Sequence, residues 1–141
     1  RFRPNAMAPQ SILWGRDNRG AMLRVIGAPG DSATRIENRL GEPAANPYLY
    51  MASQIHAGLS GVDAQLQAPP ATETPYSPGA ATIPTSLADA VQALQTDTAL
   101  CQALGQPFVG YYSTIKQAEH QRLTQAEDAQ EFHRREYFGR I

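Results

Sequence analysis

Apolar and polar positions alternate twice within the first forty residues of the chain. Residues 21–26 put Met22, Arg24 and Ile26 on one face and Ala21, Leu23 and Val25 on the other, the period-two pattern of a short strand. Gly27, Pro29, Gly30 and Asp31 then make a turn. Residues 34–40 repeat the alternation, with Arg35, Glu37 and Arg39 opposed to Ile36, Asn38 and Leu40. Two strands around such a loop predict an antiparallel pair. Ahead of them, residues 1–13 carry Pro4 and Pro9 and read as a loop or flap. It leads into an apolar Ser11-Ile12-Leu13-Trp14 segment ending at Gly15.

Beyond Leu40 the period lengthens. Asn46 suits an N-cap and Pro47 the first helical position, so a helix is predicted to start there. It should run to about Gly58 or Gly61, burying Leu49, Ala52, Ile55 and Leu59, with the glycines ending it. Residues 64–85 contain Pro69, Pro70, Pro75, Pro78 and Pro84 and are predicted to be a long loop. Loops of that length are uncommon unless they are functional or packed over something. Ser86 can cap a helix through about Leu94, with Leu87, Ala90, Val91 and Leu94 at helical spacing. A second short helix covers residues 97–104 and is closed by Gly105. From Pro107 the chain is helical again, with a stripe of Phe108, Tyr111, Tyr112 and Ile115 and a later cluster of Phe132, Tyr137 and Phe138. The predicted class is α+β, antiparallel strands followed by helices.

At 141 residues the chain is one ordinary domain or part of a larger one, and its start at Arg1 rather than methionine suggests a piece of a longer sequence. No run approaches the roughly 20 apolar residues of a membrane span, and no basic-then-apolar leader opens the chain. The expectation is a soluble, cytoplasmic protein. A single cysteine, Cys101, excludes an internal disulfide framework and a cysteine-built zinc site. Charge adds more. Of 12 basic residues only Lys116 is lysine, and seven arginines against three acids give the first 39 residues a net charge of +4, leaving −5 for the rest. Arginine is favoured where carboxylate or phosphate is bound in a planar, bidentate way, which marks this segment as a candidate anion site. Codon bias is the alternative source of the excess.

Arg35-Ile36-Glu37-Asn38-Arg39-Leu40-Gly41 is the most informative stretch. On a strand Arg35, Glu37 and Arg39 point the same way, about 7 Å apart. A carboxylate between two guanidiniums stays anionic and suits a hard divalent cation, while the arginines can clamp phosphate oxygens or a substrate carboxylate. The alternative is a surface ladder of salt bridges, worth about 0 to 1 kcal/mol per exposed pair. Arg24 on the adjacent strand can face the same surface, and Asn18-Arg19 stands at that strand's head. Arginines converging on one acid repel one another unless an anion or a metal joins them. Nucleic acid is a poor guest, because the pI is near 6.3, lysine is all but absent and aromatics are not interleaved. His56, His120 and His133 lack metal-ligand spacing and read as structural or solvent-facing. Cys101, beside Leu100 and near Leu104, reads as core, and no glycine-rich phosphate loop is present.

Four segments, in this order and at this spacing, resemble the C-terminal part of the catalytic domain of the glutamine synthetase family. They are Asn18-Arg19-Gly20, Leu23-Arg24-Val25, Arg35-Ile36-Glu37-Asn38-Arg39 and Ala44-Ala45-Asn46-Pro47-Tyr48-Leu49. The likeness continues through Thr85-Ser86-Leu87-Ala88-Asp89-Ala90, Lys116 and Glu119 to Arg135-Glu136-Tyr137-Phe138, so residues 1–141 would be one stretch of such a domain without its upstream part. The resemblance implies that Glu37 ligates a divalent metal, Mg2+ or Mn2+, that bridges the phosphates of ATP. It places Arg39 and Arg1 on the substrate glutamate, Arg19 beside the transferring phosphoryl group, and Arg24 and Arg35 on the ATP phosphates. It further implies a two-step carbon–nitrogen ligation, in which ATP phosphorylates the γ-carboxylate of glutamate and ammonia or another small amine then displaces phosphate. Homo-oligomeric rings, usually dodecamers, are implied as well, and the piece alone is expected to be inactive. One departure stands out. In Pro4-Asn5-Ala6-Met7-Ala8-Pro9, Met7 occupies the position of an acid that ammonia-using members carry, and methionine can neither act as a base nor bind a cation. That favours an amine larger than ammonia, as in γ-glutamyl-polyamine or γ-glutamyl-monoamine ligases. A protein that keeps the fold as a non-catalytic structural or regulatory element is the alternative. Tyr76 lies where some bacterial members carry a regulatory adenylylated tyrosine, but Pro75-Tyr76-Ser77-Pro78 lacks the expected context.

Overall fold

A computed structural model describes residues 8–139. It divides the chain into two compact units, the first holding the residues up to Gly41 with Gln67–Ile83 and the second holding Glu42–Leu66 with the residues from Pro84 onward.

The first unit is built on a three-stranded sheet, β1 Trp14–Arg16, β2 Leu23–Ile26 and β3 Arg35–Asn38, in the order β1-β2-β3. β2 and β3 pair antiparallel, as the alternation predicts, with Arg24 opposite Glu37 and Ile26 opposite Arg35. Gly27 turns the chain out of β2 at φ 96°, and a Cβ there would lie 2.5 Å from the Thr34 hydroxyl, so the turn requires glycine. β1 is the element that periodicity misses. It pairs parallel to β2, Gly15 opposite Arg24, and three residues are too few to display a period. The proline-rich segment remains without a strand or helix of its own, yet it is anchored. Thr72 N–H donates to the Trp14 carbonyl (2.8 Å), Ile12 N–H to that of Ala81 (2.8 Å) and Ile83 N–H to that of Gln10 (3.0 Å). The Trp14 indole N–H adds a bond to the Pro69 carbonyl (2.7 Å). Proline removes donors from this segment, so the sheet's end uses the carbonyls and the few remaining N–H groups.

Five helices make the second unit: α1 Pro47–Asp63, α2 Leu87–Thr96, α3 Thr98–Leu104, α4 Gln106–Thr124 and α5 Ala129–Tyr137. Their starts are legible in single residues. The Asn46 side chain accepts from the N–H of Tyr48 and Leu49, Ser86 from Asp89, Asp97 from Leu100 and Asp128 from Gln130 and Glu131. α1 departs from expectation at its end and on its face. It runs through Gly58 and Gly61 to Asp63, since a helix-interior glycine costs only about 1 kcal/mol and here both keep helical backbone. Leu49 and Ala52 are half-buried, but Ile55 and Leu59 are 60% and 55% exposed. Among the described residues only α3 lies along α1, and a seven-residue helix cannot cover a seventeen-residue stripe.

The core of this unit lies among α2, α3 and α4, where Val91, Cys101 and Val109 are buried. Cys101 is 2% exposed and its thiol donates to the Leu94 carbonyl (3.1 Å), the core role expected of it. α4 is rotated relative to the predicted stripe. Val109, Ser113 and Glu119 are buried, whereas Tyr111 and Ile115 are exposed, and Phe108 and Tyr112 stack half-buried at 5.6 Å. A buried carboxylate explains the rotation. The Lys116 ammonium donates to Glu119 Oε2 (2.7 Å) and the Tyr137 hydroxyl to Glu119 Oε1, so α5 is fastened to α4 by a polar clasp that the apolar pattern cannot encode. No helix among the described residues is long and apolar enough to cross a membrane.

Candidate functional site

Antiparallel register brings the charged residues of the first unit together. Arg24 and Glu37 are directly opposed, so their side chains share one face, and Arg24 Nη1 donates to Glu37 Oε2 at 3.0 Å. On its other edge Arg24 donates to Asp17, through Nε at 3.1 Å and through Nη2. Asp17 first and Glu37 second, acting by hydrogen bonds, hold the Arg24 guanidinium above its usual pKa. Arg39 lies one residue past β3, where its N–H still donates to the Met22 carbonyl (3.0 Å) and continues the ladder. Its Nε stands 3.9 Å from Glu37 Oε1. Its Nη1 is buried and has no hydrogen-bond partner among the described residues.

Glu37 is therefore flanked by two guanidiniums, but they are Arg24 and Arg39 rather than the Arg35 and Arg39 expected from strand alternation. Arg35 is exposed and folds back to donate to the Ala33 carbonyl at 2.8 Å. Arg19 is carried on the turn between β1 and β2, where Gly20 N–H donates to the Asn18 side chain (3.0 Å) and Asn18 Nδ2 to the Glu73 carbonyl (3.5 Å). The Arg19 guanidinium is exposed and forms no ion pair with the described residues. Arg16 rests over the Trp14 ring, 5.9 Å from its centroid. Arg1, Arg3 and Met7 lie outside the described residues.

Asp17 is the site residue that sequence reasoning passes over. It is seven positions from Arg24, a spacing with no meaning on a strand or helix, and only the parallel pairing of β1 with β2 brings the two together. The same geometry bears on a metal. Glu37 offers hard carboxylate oxygens, but no group of three His, Cys, Asp or Glu side chains converges among the described residues. Glu37 fits as one ligand of a set completed from elsewhere. For an anion the fit is closer, because Arg39 Nη1 is a buried donor that lacks an acceptor among the described residues.

Residues 1–135 match the family model of the glutamine synthetase catalytic domain. The chain belongs to the glutamine synthetase family. It is similar to γ-glutamylanilide synthase of Acinetobacter sp, 43% identical over 131 residues, covering 92% of this chain and 26% of that protein. It is also similar to γ-glutamylethanolamide synthetase GlnA4 of Streptomyces coelicolor, 36% identical over 120 residues, covering 84% of this chain and 26% of that one. Among solved structures it resembles the ADP complex of GmaS, with a TM-score of 0.75, 30% identity, and coverage of 97% of this chain and 33% of that one. The chain thus spans about a quarter of the length of these curated relatives. Its α+β class and its place in a glutamine-synthetase-type catalytic domain agree with the expectation from the motifs.

Proposed function

We propose that this chain is the arginine-bearing part of an ATP-dependent ligase that joins glutamate to an amine through γ-glutamyl phosphate. The observation that carries the reading is the buried Nη1 of Arg39 beside Glu37, a donor without a hydrogen-bond partner among the described residues and so ready for an anionic oxygen. In this reading Arg39, with Arg1, holds the carboxylate of glutamate. Arg19, free of intramolecular ion pairs among the described residues, reaches the transferring phosphoryl group. Glu37 supplies one oxygen ligand to Mg2+ or Mn2+, and such a metal supplies charge neutralisation at the ATP phosphates. Arg24 and Arg35 bind those phosphates. Arg24 reaches them by exchanging the exposed Asp17 for a phosphate oxygen while keeping Glu37 oriented. Stabilising charge on a transferring phosphoryl group is a task of positioning and electrostatics, which a preorganised set of arginines performs.

The acceptor is an organic amine. Support comes from the relatives named for anilide and ethanolamide products and from Met7, whose thioether cannot deprotonate ammonium. The working enzyme is a homo-oligomeric ring completed by the residues of the longer chain. The test is ATP-dependent phosphate release by the full-length protein with glutamate plus ammonia, aniline, ethanolamine, methylamine or a polyamine in turn. Turnover with at least one organic amine well above that with ammonia is expected. Efficient use of ammonia alone would overturn the acceptor assignment, and no glutamate-dependent phosphate release with any amine would overturn the ligase reading.

A further inference from the structure

Arg19 raises a question that its own side chain does not answer. With no ion-pair partner among the described residues, Arg19 is aimed by its backbone, and the Asn18-Arg19-Gly20 turn must therefore be held from outside. What holds it is the proline-rich segment. Gly20 packs so closely against that segment that a Cβ would lie 2.5 Å from Pro75 Cγ and 2.8 Å from both Cζ and Oη of Tyr76. Pro75 is buried there. Tyr76 is 84% exposed, so the part of its ring not lost to solvent is the part that meets Gly20. The segment is itself tied to both flanks of the turn, by Thr72 N–H to the Trp14 carbonyl (2.8 Å) and by the Asn18 side chain to the Glu73 carbonyl (3.5 Å). A turn from Thr74 to Ser77, closed by a 3.1 Å backbone bond, presents Pro75 and Tyr76 together.

We propose that Tyr76 is a positioning residue for Arg19: its ring, backed by Pro75, presses on Gly20 and fixes the direction in which the Arg19 guanidinium leaves the turn. The inference rests on the ligase reading above and adds a residue to it. An exposed aromatic ring gains little from its own burial here, and its hydroxyl makes no hydrogen bond among the described residues. The one thing the ring does is close the space over Gly20. Both Cζ and Oη close that space, so the hydroxyl contributes there by its bulk and not as a hydrogen-bond donor. A misplacement of a charge-stabilising group by about 1 Å can cost on the order of 100-fold in rate.

The experiment is a set of steady-state kinetics on the full-length enzyme with its best amine. Tyr76→Ala is expected to lower kcat by about 10- to 100-fold, with the KM for glutamate nearly unchanged, because Arg39 rather than Arg19 holds that substrate. Tyr76→Phe retains the ring with Cζ and loses only Oη, so it is expected to recover most of the lost kcat. Arg19→Ala is expected to lower kcat by itself, and Tyr76→Ala introduced into it is expected to cause no further loss, since there is no longer a guanidinium to aim. Wild-type kcat in Tyr76→Ala, a defect that Tyr76→Phe does not repair even in part, or losses that multiply in the double variant would each overturn the positioning role. These outcomes are distinct from failure of the ligase reading, which would appear as wild-type enzyme without turnover or as an Arg19→Ala variant with full activity.

Discussion

Removing one oxygen tests how α5 is held. In the Tyr137→Phe variant the ring remains, and with it the contact to the Lys116 ammonium, which lies 5.8 Å from the Tyr137 centroid. What is lost is the hydroxyl that donates to Glu119 Oε1. Glu119 is 4% exposed, so its freed oxygen has little access to water, and hydrogen bonds to charged groups are worth about 1.5 to 3 kcal/mol. Among the described residues α5 is also tied to α4 by the Arg122–Glu136 pair at 3.0 Å, whose arginine is half-exposed. The cost should therefore appear as local opening of α5 rather than as global unfolding. At about 1.4 kcal/mol per factor of ten, amide exchange across Ala129–Tyr137 is expected to quicken by roughly 10- to 150-fold, while α2 and α3 keep their protection. Hydrogen–deuterium exchange read by mass spectrometry measures it. Unchanged exchange in α5 would refute the clasp. The pH dependence gives a second reading. Burial works to raise the Glu119 pKa, but hydrogen bonds from Lys116 and Tyr137, with the charges of Lys116 and Arg122, outweigh it and hold the carboxyl below its ordinary 4.5. A depressed carboxyl pKa contributes stability above the unfolded value, so protection of α5 should fall as pH drops below about 4.5 and through the folded pKa. Tyr137 is shifted the other way, upward from 10.0, by burial first and then by its bond to Glu119. Its contribution is complete below pH 10 and is lost as pH rises beyond it toward the folded value.

Two further outcomes follow from single residues. Glu37→Ala in the full-length protein should weaken Mg-ATP binding at least tenfold by titration calorimetry and leave Arg24 paired with Asp17 alone; unchanged affinity would remove Glu37 from the metal site. Cys101 should resist an aromatic disulfide reagent in native protein and react at once in denaturant, because its thiol is buried against the Leu94 carbonyl; rapid native modification would place it outside the core.

The motifs carry family membership further than they carry geometry. Asn18-Arg19-Gly20 and Arg35-Ile36-Glu37-Asn38-Arg39 identify the family that the comparisons show, and the alternation in both strands predicts the pairing of β2 with β3. Which arginine reaches Glu37 is a different matter. Alternation places Arg35 and Arg39 equally, yet Arg35 curls onto the Ala33 carbonyl and Arg24 takes the vacant side from across the ladder. A long, flexible guanidinium chooses among acceptors within reach, and that choice depends on register and on the neighbouring strand rather than on its own position in sequence. Asp17 is invisible for the same reason, and so is the contact of Tyr76 with Gly20, which spans 56 positions.

Local chemistry is what the linear chain determines by itself. Asn46, Ser86, Asp97 and Asp128 cap their helices through bonds to N–H groups two or three residues away, so these starts are written in neighbouring letters. Period-two alternation does the same for β2 and β3. Tertiary structure decided whatever depends on partners distant in sequence. β1 is defined by the strand beside it, and the face that α4 buries is set by a carboxylate that Tyr137 and Lys116 satisfy. The apolar stripe of α1 stays open because only α3 lies along it among the described residues. The physical reason is common to all three. Burial and hydrogen-bond satisfaction belong to a surface shared by two segments, and neither segment alone carries that information.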